Sequence, residues 1–105
     1  MPLDRDRLLM NLERTMRVIN QQVINPGIPE LATGDIEPFI RMVARVRATY
    51  LKQLLEVARA VGDALPTSEQ IARLREMRLS YEECIAGTKA IETAIKREYL
   101  DIKSV

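Results

Sequence analysis

Proline and glycine break this chain hard in only two places, and between them apolar residues recur every three or four positions. The first break is Asn25-Pro26-Gly27-Ile28-Pro29, continuing through Thr33-Gly34-Asp35, where Pro-Gly suits the centre of a type II turn. The second is Gly62-Asp63-Ala64-Leu65-Pro66-Thr67, where Gly62 is placed to end a helix in the left-handed conformation. Helical spacing on both sides of two breaks leaves room for three helices and little else. The fold class read from this pattern is all-α: an N-terminal helix plus a long antiparallel helical hairpin, the arrangement completed as a bundle by dimerisation. At 105 residues the expectation is one helical domain with loops at about 25–35 and 62–67.

The first helix is expected over about residues 4–24. Leu9, Leu12, Met16, Ile19 and Val23 follow one another at alternating steps of three and four, with Leu8 widening the stripe. Asp4 and Asp6 suit its N-terminus. The second, about 36–61, starts after Asp35 as N-cap, with Pro38 tolerable in its first turn. Its inward arc holds Ile36, Phe39, Ile40, Val43, Val46, Tyr50, Leu54, Val57 and Val61. The third, about 68–101, opens on a capping box from Thr67 to Gln70. Its seam runs through Leu74, Met77, Tyr81, Ile85, Thr88, Ile91, Ile95, Tyr99 and Ile102. Glu69–Arg73 and Glu92–Lys96 have the favourable i,i+4 order for ion pairs.

Folding the last two segments about Leu65-Pro66 sets a register in which facing residue numbers sum to about 131. Val57 then meets Leu74, Leu54 meets Met77, Tyr50 meets Tyr81 and Ile40 meets Ile91. The third segment is on the order of 50 Å long and overhangs the second. Tyr99, Leu100 and Ile102 need cover there, from loop residues Ile28 and Leu31 or from a second chain. Mid-helix Gly87 costs roughly 1 kcal/mol relative to alanine, and is read as allowing a close approach or a bend.

Composition removes many chemistries. The chain has no histidine, so the commonest general base and metal ligand is missing. One cysteine, Cys84, excludes an intramolecular disulfide and a CxxC site, and reads as a buried structural thiol. Paired glutamates in a helical bundle could suggest a di-metal centre, but the accompanying Glu-x-x-His spacing does not occur. Phosphate-binding glycine loops, a GxSxG elbow and an EF-hand loop are also missing. No cofactor, metal or catalytic residue is expected, and the chain is read as a non-enzyme. The charged N-terminus does not read as a signal peptide, and no apolar run reaches the roughly 18 residues of a membrane span. A soluble cytoplasmic protein with no membrane partner is the expectation.

A net charge of +1 weighs against a dedicated nucleic-acid binder. Arg41, Arg45, Lys52 and Arg59 nevertheless share a narrow arc of the second helix, and form the candidate face for an anionic partner. Glu56 interrupts the arc and no aromatic residue interleaves with it, which favours a solvated face. Arg47 and Glu92 fall inside apolar arcs and are the candidate buried polar positions. Arg47 could grip a carboxylate or phosphate; the alternative is a stem along apolar surface, its head pairing with Glu82 or Glu83. Glu92 at a seam reads as fixing register or a partner. The runs around Arg47, Thr49, Tyr50 and Arg78, Ser80, Tyr81 match loosely and offer weak evidence of duplication.

The functional expectation is a helical protein-interaction module: an adaptor, assembly factor or small chaperone-like protein. Leu9, Leu12, Met16, Ile19, Val23, Tyr99 and Ile102 are its candidate interface, and its partner is another protein or its own copy in a homodimer. The alternatives are a small nucleic-acid-binding regulator using the basic face of the second helix, or the accessory subunit of a larger enzyme.

Overall fold

The structure, a computed structural model, describes residues 2–103. The protein is all-α: among the described residues the helices are α1 (Pro2–Ile24), α2 (Thr33–Val61) and α3 (Ser68–Lys96). Contacts divide the chain into two compact units. One comprises Met1–Asp35 with Ala90–Val105, and the other Ile36–Lys89.

Unit Ile36–Lys89 is the expected hairpin of α2 and α3. Its turn follows the chemistry of its residues. Gly62 ends α2 with φ 56°, and its N–H donates to the Ala58 carbonyl at 3.3 Å. At the start of α3 the capping box closes reciprocally: Gln70 N–H donates to Thr67 Oγ1 at 3.1 Å, and Thr67 N–H to Gln70 Oε1 at 2.8 Å. Tyr50 stacks on Tyr81 with ring centroids 6.0 Å apart, as the expected register requires. Nearer the open end, Phe39 reaches Gly87, about a turn short of the residue that the same register assigns to it. Gly87 is therefore a packing position: its Cα surface receives the Phe39 ring. Val43 and Val57 are buried, both on α2.

Unit Met1–Asp35 with Ala90–Val105 holds α1, the first loop, the end of α3 and the tail. The third helix stops at Lys96, short of the expected 101, so Tyr99 and Ile102 are not helical seam residues. Its end is a Schellman motif built on a non-glycine residue. Glu98 takes φ 59°, with Tyr99 N–H on the Ala94 carbonyl (2.8 Å) and Glu98 N–H on that of Ile95 (3.2 Å). The tail then runs alongside the first loop, making an isolated parallel bridge between Leu31 and Ile102. Leu31 N–H donates to the Asp101 carbonyl at 2.7 Å, and Lys103 N–H to that of Leu31 at 2.9 Å. Leu100 is buried. Of the two sources of cover considered for the tail, the first loop is the one whose backbone pairs with it.

Three local readings are corrected. Asp35 is not the N-cap of α2, which begins at Thr33. Its carboxylate reaches back instead to accept from Ala32 N–H at 2.9 Å, the role of the acidic partner in a capping box. Pro26-Gly27 does not make a type II turn, since Gly27 lacks the positive φ this requires. Gly27 and Ile28 N–H groups both bond the Ile24 carbonyl, which continues the right-handed winding of α1. The i,i+4 ion pairs among the described residues fall at Glu37–Arg41, Lys52–Glu56 and Arg78–Glu82, not at Glu69–Arg73 or Glu92–Lys96.

Candidate interaction surface

An amphipathic helix ordinarily buries its apolar stripe and leaves its polar face to water. Helix α1 turns a mostly polar face to its own unit. Its links to the tail come from polar residues: Gln21 Nε2 donates to the Glu98 carbonyl at 2.6 Å, and Arg17 pairs with the Glu98 carboxylate at 3.4 Å. Just past the helix, Asn25 Nδ2 donates to Asp101 Oδ2 at 2.9 Å. Among the described residues, the half-buried positions of α1 are Arg17, Asn20, Gln21 and Ile24. At 3.6 residues per turn this face lies roughly 110° round the helix from the apolar stripe.

The stripe itself is open. Leu9, Leu12, Met16, Ile19 and Val23 are between 37% (Met16) and 72% (Val23) exposed, and Leu8 and Met10 are more than half exposed. A scattering of exposed apolar side chains is ordinary; a continuous row on one helix face is not.

Total area points the same way. The chain exposes 8649 Å² at 12.0 kDa. Two separate bodies of half that mass expose about 7,200 Å² together. A surplus of about 1,400 Å² remains. Among the described residues only Val43, Val57 and Leu100 are buried.

The other candidate positions resolve differently. Tyr99 is half-buried, and Ile102 is bound to Leu31 through its backbone while its side chain stays 51% exposed. Arg47 and Glu92 are not buried polar positions; both are exposed. Arg47 lies over the Tyr81 ring, 5.5 Å from its centroid, and its Nε donates to the Tyr81 hydroxyl at 3.3 Å. The guanidinium thus finds a partner while keeping its hydration, which costs less than burying a charge. It does not pair with Glu82, whose carboxylate meets Arg78 at 3.5 Å. On the basic arc, Arg41 is bound by Glu37 at 2.7 Å and Lys52 by Glu56 at 4.0 Å, so two of its four charges are answered locally.

Cys84 is a half-buried free thiol rather than a fully buried one. Among the described residues no cluster of three metal-ligating side chains occurs, and no helix is long and apolar enough to cross a membrane. On the hairpin, a shallow cleft of about 350 Å³ runs between Tyr50, Leu54, Ile71 and Leu74, with Arg75 and Arg78 at its edge.

Sequence reasoning found the apolar stripe and missed the polar anchor of Arg17, Gln21, Asn25, Glu98 and Asp101. Isolated polar residues with partners more than 70 positions away carry no periodic signal. No protein-family model, curated protein or solved structure matches this chain.

Proposed function

We propose that this chain is a non-enzymatic helical protein-interaction module, and that the apolar stripe of α1 is its docking surface. What supports the reading is the inverted attachment of α1: polar residues hold the helix to its own unit, and Leu9, Leu12, Met16, Ile19 and Val23 are left facing water. Burying a row of such side chains contributes roughly 1.5–3 kcal/mol each when coverage is complete, enough to drive association. The partner is protein, its own copy included. A nucleic-acid role for α2 is the weaker reading, because Glu37 and Glu56 neutralise Arg41 and Lys52 on that face.

The test substitutes the stripe and leaves the anchor intact. Leu12→Glu with Ile19→Glu should retain the helical circular-dichroism spectrum of the parent while losing its association, measured as solution mass and as partner capture. Association unchanged by both substitutions would overturn the proposal.

A further inference from the structure

We infer that the occupant of the α1 stripe is a second copy of this chain, its own α1 lying antiparallel across a two-fold axis between Leu12 and Met16. The inference rests on the docking role of the stripe and adds the identity and orientation of the partner.

Area is the first argument. A surplus of about 1,400 Å² per chain falls within the roughly 1,000–2,500 Å² that each member of an obligate dimer buries, half of a total of about 2,000–5,000 Å². The exposed α1 stripe carries part of it.

Pattern is the second. The stripe is its own complement under a two-fold rotation, which is what an isologous interface demands. With facing numbers summing to 28, Leu9 meets Ile19 of the copy and Leu12 meets Met16 of the copy, each pair occurring twice. Extending the three-and-four spacing toward the N-terminus brings in Arg5, which falls opposite Val23 of the copy and can lay its stem over it.

Orientation follows from that arginine and from the helix dipoles. A parallel pair sets Arg5 against Arg5 of the copy in the same layer and lays two macrodipoles side by side. The antiparallel pair separates the arginines to opposite ends and opposes the dipoles. Its one like-charge meeting is Glu13 beside Glu13 of the copy, on the flank of the seam near the axis. The polar anchor lies roughly 110° away on the helix, so pairing leaves Arg17 and Gln21 bound to Glu98.

Engineered cysteines in the full-length chain carrying Cys84→Ser test both parts. A disulfide needs Cα atoms within about 7 Å. Leu12→Cys mixed with Met16→Cys should therefore oxidise mainly to the mixed dimer, and each variant alone should cross-link poorly. In the same background without cysteines, solution mass should correspond to two chains. Leu12→Glu should weaken that dimer by a factor of about 30 or more, as loss of a central contact does.

Efficient self-cross-linking of each single variant, with no mixed product, would overturn the antiparallel arrangement while leaving the docking role standing. A one-chain mass at high micromolar concentration would overturn the second copy as occupant. The docking role would then stand or fall on whether the parent, and not its Leu12→Glu variant, captures another protein. A two-chain mass that persists in Leu12→Glu with Ile19→Glu would place the dimer interface elsewhere and overturn both.

Discussion

Gln21 reaches across its unit to donate a 2.6 Å hydrogen bond to the backbone carbonyl of Glu98, the non-glycine residue held at positive φ. This bond anchors α1 by its polar face to the end of α3. It also fixes the carbonyl that follows a left-handed turn. Removing it should loosen the tail before it unfolds the hairpin. Gln21→Ala is expected to cost about 0.5–1.5 kcal/mol, a typical net value for such a bond. Hydrogen exchange at Leu31 and Lys103 should accelerate, with the hairpin amides unchanged. Equal acceleration in both units would show that Gln21 acts on the whole fold.

Glu98 itself occupies a conformation that costs an L-residue about 1 kcal/mol, and its ion pair with Arg17 is largely exposed. Exposed pairs contribute about 0–1 kcal/mol, so strain relief should outweigh the lost pair. Glu98→Gly is therefore expected to be neutral or stabilising by up to about 1 kcal/mol. Chemical denaturation checks this, and a clear loss would mean that the Arg17 pair dominates.

Gly87 has room for a methyl group, because a Cβ built there would sit 3.6 Å from the Phe39 ring, ordinary van der Waals contact. Gly87→Ala should gain helix propensity without displacing the ring and stabilise by up to about 1 kcal/mol. Gly87→Leu should push Phe39 aside and destabilise by about 1–3 kcal/mol. Thermal denaturation of the two variants should move in opposite directions.

Thr67→Ala removes the side-chain acceptor for Gln70 N–H and should cost about 1 kcal/mol, the usual value for an N-cap. Thr67→Ser keeps the oxygen and should recover most of the loss. In a chain of this size 1 kcal/mol moves the melting temperature by roughly 4–8 °C, so the comparison is readily measured.

Local chemistry wrote the hairpin plainly into the sequence. Gly62, the Thr67–Gln70 box and the seam containing Tyr50 and Tyr81 involve neighbours in sequence or a short turn, where helical period and capping rules apply directly. The end of α3 was not legible, because apolar spacing through Tyr99 and Ile102 continues the helical pattern past Lys96. Only the tertiary pairing of the tail with Leu31 shows why the chain leaves the helix there.

The sequence by itself determined three helices, their turn and the apolar stripe on α1, since period and breaker residues act over a few positions. Which face of α1 meets the rest of its unit was decided by tertiary structure alone. That choice depends on Arg17, Gln21 and Asn25 finding Glu98 and Asp101 more than 70 residues away, and hydrogen bonds over such separations leave no trace in local spacing. The consequence is an apolar stripe turned to solvent.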